Sequence, residues 1–393
     1  MIGVSKLYCG TVEASDPLRY GRNPRLLPAH LLQFADEKKP VIVWNVGRRC
    51  NLHCQHCYSQ SSDLAYQGEL THEEGCRLID DLAAFQVPVI LFSGGEPLLR
   101  PDIFTLIART REHGIRAVLS TNGTLITREV AVSLAKHGLS YVGISLDGLE
   151  QTHDRFRGVQ GSFTRTMNGI AHSLDAGIKV GLRFTINRHN ITDIDGIFDL
   201  VKQLHIPRIC FYHLVYAGRG SRLVHDDLSH EETRAVVDLI ATRTRELHEA
   251  GQPVEVLTVD NHCDGPYLYL RLQRENPALA TNALRLLRMN GGNSSGVGIG
   301  CISWDGTVHP DQFWRHLSLG NVRERSFADI WCDQSHPILS RLKDRKPYLH
   351  GRCTHCRWLD VCNGNFRVRA EALTGDLWAC DPACYLTDDE IVE

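Results

Sequence analysis

Short runs of β-branched and other apolar residues recur along the chain, separated by amphipathic segments of helical length. The runs predict six strands: Val41–Val46, Val89–Ser93, Ala117–Ser120, Tyr141–Leu146, Lys179–Ile186 and Ile209–Val215. A repeated strand–helix unit is typical of an α/β fold with a parallel sheet and right-handed crossovers. Since a closed barrel needs eight units, six predict an open, partial (β/α)6 TIM-like barrel whose chemistry lies at the carboxyl ends of the strands.

The flanking segments follow other patterns. Residues 1–40 contain four prolines and no sustained periodicity, apart from a short helix predicted at 29–34. Thr71-His-Glu-Glu74 is a capping-box pattern that predicts the start of the first barrel helix. We predict four parts, namely a lead-in at 1–40, the barrel at 41–250, a connecting segment at 251–300 and a small domain at 301–393.

Composition limits the possible functions. The chain has 393 residues, a formal net charge of −3 and no apolar run long enough to cross a bilayer. There is no basic excess for nucleic-acid phosphates, and the first residues lack the layout of a secretory signal. We therefore expect a cytoplasmic protein that binds neither nucleic acid nor membranes. The anomaly is the 14 cysteines, because cytoplasmic thiols stay reduced and metal, redox or catalytic chemistry explains them better than disulfides.

Three cysteines follow the first predicted strand in one loop, at Cys50, Cys54 and Cys57. Their spacing suits three thiolates that converge on one metal centre. A structural zinc site takes four ligands, and His53 or His56 is a candidate for the fourth. A [4Fe–4S] cluster on three thiolates instead leaves one iron open for a substrate or cofactor.

This loop resembles the signature of the radical S-adenosylmethionine (SAM) superfamily, a CxxxCxxC motif with an aromatic residue beside its last cysteine. Ser93-Gly-Gly-Glu-Pro97 resembles the GGEP motif of that family, which contacts the methionine amino group of SAM. The resemblance implies a [4Fe–4S] cluster on the three cysteines, ribose contacts at the end of the fourth strand, and an arginine on the SAM carboxylate. The implied SAM-binding residues are Tyr58, Gly94, Gly95, Glu96, Pro97, Ser120, Asn122, Ser145, Asp147 and Arg183.

A second group of cysteines lies near the carboxyl terminus, at Cys353, Cys356, Cys362, Cys380 and Cys384. Its CxxC start and its distant partners suit a tetrahedral thiolate site for zinc or an iron–sulfur cluster. The region also resembles the SPASM extension of radical SAM enzymes, or its shortened twitch form.

The extension departs from the full SPASM pattern at Asp311 and Phe366, where the family usually has cysteines. Both departures remove ligands of the same auxiliary cluster. The resemblance therefore implies two [4Fe–4S] clusters in all, one that binds SAM and one auxiliary. The implied auxiliary ligands are Cys353, Cys356, Cys362 and Cys384, and Cys380 competes for the fourth position.

The substrate is indicated less directly. Arginine supplies 35 of the 43 basic residues, and its planar guanidinium suits carboxylates, although codon bias explains the same excess. His309 and His316 are candidate ligands for a substrate metal. Long segments, among them His213–Gly220 and Gly291–Gly296, resemble the tetrapyrrole-modifying branch of the superfamily, which acts on siroheme derivatives.

That resemblance implies an enzyme of haem biosynthesis with an iron-tetrapyrrole substrate and a ferredoxin or flavodoxin as electron donor. The implied reaction uses a 5′-deoxyadenosyl radical to remove the two acetate side chains of 12,18-didecarboxysiroheme, giving iron-coproporphyrin III. Three alternatives stay open: action on the propionates of the same substrate in haem d1 synthesis, maturation of a peptide, and a non-enzymatic zinc-binding scaffold.

Overall fold

A computed structural model describes residues 1–10 and 39–392. The strands are β1 Ile2–Gly3, β2 Val41–Asn45, β3 Val89–Ser93, β4 Arg116–Thr121, β5 Tyr141–Ser145, β6 Val180–Thr185, β7 Arg208–Tyr212, β8 Glu255–Val259, β9 Ile299–Ile302, β10 Thr307–His309 and β11 Gly320–Asn321. They form one sheet in the order β1-β8-β7-β6-β5-β4-β3-β2-β9-β10-β11. All pairings from β8 across to β9 are parallel, while β1 and the β9-β10-β11 edge pair antiparallel.

The helices cover the outer face of the barrel strands and build most of the carboxy-terminal region. They are α1 Val4–Cys9, α2 His72–Ala84, α3 Ile103–Glu112, α4 Arg128–Lys136, α5 Glu150–Arg157, α6 Ser162–Asp175, α7 Ile194–Gln203, α8 His230–Glu249, α9 Asp264–Glu275, α10 Pro277–Asn290, α11 Phe327–Trp331, α12 Pro337–Lys343, α13 Leu359–Cys362, α14 Arg367–Thr374 and α15 Asp388–Ile391. No helix within residues 1–10 and 39–392 is both long and apolar enough to cross a membrane.

The first barrel helix, α2, begins as its sequence pattern predicts. The Thr71 hydroxyl accepts a hydrogen bond from the Glu74 amide, and the Glu74 carboxylate accepts one from the Thr71 amide at 2.8 Å. This reciprocal pair satisfies two amides that the first helical turn leaves without partners. Leu78, Ile79 and Leu82 are buried on the side of the helix that packs on the sheet. The capping-box prediction is confirmed.

All six predicted strands are present, with small differences at their ends. The pattern missed β8, a further parallel strand that lies inside the predicted connecting segment at 251–300. Beyond it, β9 pairs in parallel with β2, so the sheet runs without a break from the barrel into the cysteine-rich region. The short helix predicted at 29–34 lies outside the described residues.

Polar residues mark the carboxyl ends of the barrel strands. Alternate residues of a strand point to the same face of a sheet, so every second side chain faces the barrel interior. At the carboxyl rim this interior position is polar in five neighbouring strands: Ser93, Ser120, Ser145, Thr185 and Tyr212. The fold therefore gathers hydroxyl groups where a parallel α/β barrel holds its chemistry.

Candidate functional site

The three thiols of the loop after β2 lie together at the carboxyl rim. Cys50 and Cys54 are buried, and Cys57 is partly buried against them and Leu52. Burial, followed by repulsion from Cys54, raises the pKa of the Cys50 thiol well above its usual value. Such a group becomes a thiolate when a metal coordinates it, since the metal charge outweighs the desolvation. The thiols therefore fit a metal cluster better than an acid–base role.

Each of the three sulfurs has a polar neighbour. A cubane cluster takes each cysteine on a different iron, so the thiols need not converge on one point. Within the part of the chain that the structure describes, no three His, Cys, Asp or Glu side chains are arranged to hold a single metal ion. Polar groups near cluster sulfurs help to set the reduction potential. The neighbours are Asn122 Nδ2 at 3.9 Å from Cys50 Sγ, Arg157 Nη1 at 3.5 Å from Cys54 Sγ, and Ser59 Oγ at 3.2 Å from Cys57 Sγ.

The paired glycines after β3 hold the cysteine loop through backbone contacts. The Gly95 amide donates to the Gly47 carbonyl at 2.9 Å. A Cβ atom would lie 2.3 Å from the Gly47 carbonyl oxygen if built on Gly94, and 2.1 Å from that of Arg49 if built on Gly95. Side chains are therefore excluded at both positions, because the two backbones are in direct contact.

A turn after β7 also contacts the loop that carries Cys50, Cys54 and Cys57, on the side away from the paired glycines. The Arg219 side chain donates to the carbonyls of Cys54 and Ser61, each at 2.8 Å, and its amide donates to the Cys57 carbonyl at 2.9 Å. Gly218 has φ +59°, and a Cβ atom built on it would lie 2.3 Å from the Tyr58 carbonyl oxygen. Sequence reasoning did not assign Arg219 a role; the available signal was a Gly-Arg-Gly run directly after a predicted strand.

A cavity of about 140 Å³ lies between the thiols and the strand ends. Arg183 reaches it from β6, donates a hydrogen bond to the Ser120 hydroxyl and lies 4.8 Å from the centre of the Tyr212 ring. Most of the predicted SAM-binding residues line this cavity: Tyr58, Gly94, Gly95, Ser120, Asn122, Ser145 and Arg183.

Glu96 and Pro97 do not line this cavity. The Glu96 carboxylate is buried and already accepts hydrogen bonds from the Thr121 hydroxyl at 2.8 Å and the amides of Asn122 and Leu98 at 2.9 and 3.1 Å. The side-chain contact with the SAM ammonium that the motif implies for Glu96 stays a prediction. In this structure the carboxylate joins the ends of β3 and β4, and Pro97 begins a buried 3₁₀ turn.

Asp147 was predicted to contact the SAM ribose; it is not among the residues that line the cavity, and the ribose contact stays a prediction. Its carboxylate is fully buried outside the cavity, accepts a hydrogen bond from the Thr185 amide at 2.6 Å and forms an ion pair with Arg157. Burial raises the pKa of Asp147, but the attraction of Arg157, together with His56 and the hydrogen bond from the Thr185 amide, lowers it below its usual value. His56 stacks on Phe156 at 4.6 Å and burial lowers its pKa to about 4, so its imidazole is neutral.

The five carboxy-terminal cysteines are all partly buried, and all are free thiols. Burial, followed by repulsion from Cys384 and Cys356, raises the pKa of Cys362 to about 12. Burial, followed by repulsion from Cys380 and Cys362, also raises the pKa of the Cys353 thiol. The structure thus gathers all five predicted thiols and keeps both candidates for the fourth position next to the other three.

Cys263 is a sixth cysteine in this region that sequence reasoning missed. It lies at the start of α9, is buried, and its thiol donates to Asn261 Oδ1 at 2.9 Å. The side chain of Cys263 also lies against Cys384, and this interaction lowers the pKa of Cys384. Cys263 lies about 120 residues from Cys384 in the chain, so the sequence gives no signal for this contact.

Two protein families match the chain. Residues 44–201 match the radical SAM superfamily, and residues 298–357 match the SPASM iron–sulfur cluster-binding domain. The chain is 64% identical to the Fe-coproporphyrin III synthase of Methanosarcina barkeri over 100% of its own length and 99% of that protein. It belongs to the radical SAM superfamily. As a member, it binds SAM and iron–sulfur clusters.

Other radical SAM proteins are similar at lower identity. The pre-heme d1 synthase of Dinoroseobacter shibae is 42% identical over 90% of this chain and 87% of that protein. Among solved structures, native anSMEcpe with bound AdoMet superposes with a TM-score of 0.68 over 88% of this chain and 93% of that chain, at 19% identity. The structural match supports the fold, a radical SAM barrel with a carboxy-terminal extension.

A larger cavity of about 320 Å³ occupies the interior of the radical SAM barrel and its open side. It shares Arg183, Tyr212, Asp260, Gln312 and Phe313 with the smaller cavity beside the thiols. Four buried polar atoms on its wall make no hydrogen bond with any described residue: Asp260 Oδ2, His262 Nδ1, Asp311 Oδ2 and Gln312 Oε1. Buried polar atoms without partners are rare in native proteins, so this wall is built to meet a ligand or water.

The two histidines predicted as substrate-metal ligands do not line either cavity. His309 is buried, with Nδ1 at 2.8 Å from the Leu317 carbonyl and Nε2 at 3.0 Å from the Ser303 hydroxyl. His316 is exposed and pairs with Glu371 at 3.1 Å. Both ring nitrogens of His309 have partners, and His316 lines a separate cavity with Tyr58 and Phe313. Their role as ligands of a substrate metal stays a prediction.

Proposed function

We propose that this protein removes the two acetate side chains of 12,18-didecarboxysiroheme to give iron-coproporphyrin III in haem biosynthesis. The observation that carries the proposal is the full-length similarity to the Methanosarcina barkeri synthase, which is well above that to the pre-heme d1 synthase. Enzymes that convert different side chains can bind the same macrocycle, so binding of the macrocycle does not distinguish their reactions. Overall sequence identity is therefore the better guide to the reaction.

The residues around the smaller cavity are suited to hold the cofactors. We assign Cys50, Cys54 and Cys57 as ligands of a [4Fe–4S] cluster. When bound, the cluster and SAM supply the one-electron cleavage that gives methionine and a 5′-deoxyadenosyl radical. The chain itself contributes hydroxyls from Ser120 and Ser145, the exposed backbone of the paired glycines, and the Arg183 guanidinium for the SAM carboxylate.

Arg157 is suited to hold a positive charge beside the first cluster. Its guanidinium donates to Cys54 Sγ at 3.5 Å and its other side is fixed by Asp147. A fixed cation next to a thiolate stabilises the more negative, reduced state of a cluster, since the local dielectric constant is low. We propose that Arg157 eases reduction of the cluster and that Asp147 positions it.

Aromatic side chains are suited to exclude water where the two cavities meet. Phe313 packs edge to face against Tyr58 at 5.2 Å and against Phe366 at 5.5 Å. A carbon radical needs such shielding, because solvent and other hydrogen donors would quench it. Phe366 occupies a position where the family usually has a cysteine that binds a cluster. In this chain the position contributes an apolar side chain to the wall instead.

We propose one auxiliary [4Fe–4S] cluster on Cys353, Cys356, Cys362 and Cys384. The Cys380 thiol donates to the His350 carbonyl at 3.2 Å, which favours Cys384 as the fourth ligand. Two cubanes then give about eight irons per chain. A ferredoxin or flavodoxin in the cytoplasm is the proposed electron donor.

The test is anaerobic reconstitution with SAM, a low-potential reductant and 12,18-didecarboxysiroheme, followed by mass analysis of the tetrapyrrole. Loss of two acetate side chains is the expected result. Conversion of propionates would select the haem d1 reaction instead, which the Dinoroseobacter shibae relative supports. An unchanged tetrapyrrole spectrum would favour a peptide substrate, and a colourless protein without acid-labile sulfide would point to a zinc scaffold.

A further inference from the structure

Two arginines face the barrel interior at the end of the larger cavity opposite the SAM-binding residues. Arg116 begins β4 and Arg208 begins β7, and both line the cavity. In β4 the interior positions are Arg116, Val118 and Ser120, because alternate residues share a face. Ser120 lines the SAM cavity, so the strand connects the two ends of the interior, about 13 Å apart at 3.3 Å per residue.

Among the residues that the structure describes, the charges at this end of the cavity do not balance. The acid among its neighbours is Glu255, whose Oε2 lies 3.5 Å from Arg208 Nε and 3.8 Å from Lys179 Nζ. The described residues give the Arg116 guanidinium no hydrogen-bonded or ion-paired partner. Burial, followed by repulsion from Arg208, lowers the pKa of Arg116 below its usual value. A half-buried cation without a partner among the described residues is suited to bind an anionic ligand.

The rest of this end is apolar. Val41, Val89 and Val118 lie on neighbouring strands, and Val89 and Val118 form a small cluster with Tyr141. The Arg208 guanidinium lies 5.1 Å from the centre of the Tyr141 ring, which keeps it extended along the wall. This apolar end of the cavity, closed by two guanidinium groups, suits an aliphatic chain that ends in a carboxylate.

We propose that Arg116, with Arg208 beside it, binds a propionate carboxylate of the tetrapyrrole substrate and so sets which edge of the macrocycle faces SAM. This inference rests on the proposed function, since the tetrapyrrole is the source of the carboxylate. A propionate places two methylene groups between its ring and its carboxylate, and these pack on the valines. Arginine binds carboxylates through two parallel hydrogen bonds, which fixes direction as well as affinity.

The opposite wall of the cavity is unsuited to the same group. Asp260 and Asp311 present buried carboxylate oxygens there without hydrogen-bond donors. The nearest cation on this wall is the Met1 ammonium, which already contacts the His262 ring at 3.3 Å. A third carboxylate therefore meets two carboxylates here and a guanidinium without a described partner at the arginine end. The cavity thus has a polarity that orients a substrate with several carboxylates.

The test compares binding of iron-coproporphyrin III with binding of its tetramethyl ester, which has the same ring and no peripheral charge. Each is titrated by absorbance into the anaerobic, reconstituted full-length protein, as wild type, R116Q, R116K and R128Q. Arg128 is a matched control, because it is exposed on α4 and pairs with Asp175 at 3.8 Å outside the barrel.

We expect wild type and R128Q to bind the free acid more tightly than the ester, and R116Q to lose roughly 10- to 100-fold of its affinity for the acid alone. R116K should keep part of the preference, because it keeps the charge and loses the paired geometry. SAM cleavage without substrate should be unchanged in the control R128Q. The apparent Tm of R116Q should be no lower than that of wild type, since the variant removes an unpaired, partly buried charge.

The outcomes separate the two levels of the proposal. If R116Q keeps the wild-type preference for the acid, or if wild type binds acid and ester equally, the assignment of Arg116 is overturned while the proposed function stands. A lower Tm together with equal losses for acid and ester would assign Arg116 a structural role, which also overturns it. If wild type binds neither porphyrin and leaves 12,18-didecarboxysiroheme unchanged, the proposed function falls and this inference falls with it.

Discussion

Arg157 and Asp147 form a buried ion pair whose arginine also donates to Cys54 Sγ. The pair joins α5 to the end of β5 and fixes a positive charge at the first cysteine loop. An ion pair of this kind contributes little net stability as a pair, yet loss of one partner leaves the other charge buried and uncompensated.

We therefore predict that Arg157→Gln lowers stability by about 3–5 kcal/mol, because Asp147 loses its counter-ion. The double variant Arg157→Gln/Asp147→Asn should recover most of that loss, since no lone charge remains. The first cluster of the double variant should still be reduced less readily than that of wild type, because the cation beside Cys54 is absent. Anaerobic thermal unfolding and electron paramagnetic resonance of the reduced first cluster measure the two effects. Equal reducibility of wild type and the double variant would refute the electrostatic role of Arg157.

Gly95→Ala is predicted to displace the cysteine loop. The added Cβ would lie 2.1 Å from the Arg49 carbonyl oxygen, inside any possible contact. We expect loss of the first cluster, read as a fall of about four irons per chain, together with loss of SAM cleavage. Gly47→Ala is the control, because its Cβ meets the Glu69 carboxylate at 3.4 Å, an ordinary contact, in the same loop region. A Gly95→Ala protein with full iron would show that the backbone contact is not needed for assembly.

The sequence predicted the barrel strands because each is a local run of β-branched and apolar residues. It missed β8, which begins with Glu255, a residue that favours solvent when judged alone. In the fold, Glu255 is buried because Arg208, at the start of the neighbouring β7, and Lys179, just before β6, approach it. That compensation comes from residues distant in the chain, so no local pattern carries it.

The same reasoning applies to the site. Cys50, Cys54 and Cys57 were predicted because the ligands of one cluster lie within one loop. The contacts of Arg157 and Arg219 with Cys54 could not be predicted, since these residues lie 103 and 165 positions away in the chain. The Gly-Arg-Gly run marked Arg219 but not its partner. The motif assigned Glu96 to SAM but carried no signal for its hydrogen bonds with Thr121 and Asn122, which come from the next strand and the residue after it.

The fourth auxiliary ligand can be tested by iron content. We predict that Cys384→Ala loses about four irons per chain, whereas Cys380→Ala keeps them. The reason is that the Cys380 thiol donates to the His350 carbonyl, while Cys384 lies beside Cys263, Cys356 and Cys362. Cys332→Ala, at an exposed cysteine, is the control. The opposite pattern of iron loss would assign Cys380 instead.

Asp260 is predicted to destabilise the fold as pH rises. It follows β8 with φ +65°, and burial raises the pKa of its carboxyl from 3.8 to about 6. Between these two values the folded protein holds a proton that the unfolded chain has released, so stability falls with rising pH, by up to about 3 kcal/mol in total.

Asp260→Asn removes this penalty, so its stability advantage over wild type should grow from pH 5 to about pH 6.5 and then stay constant. Thermal unfolding of the anaerobic, reconstituted protein across pH 5 to 8 measures it. Asp175→Asn, at an exposed carboxylate, should show no such trend. A constant difference between wild type and Asp260→Asn over the whole range would mean that Asp260 is already ionised at pH 5, held so by Arg369 and by a ligand or water in the cavity.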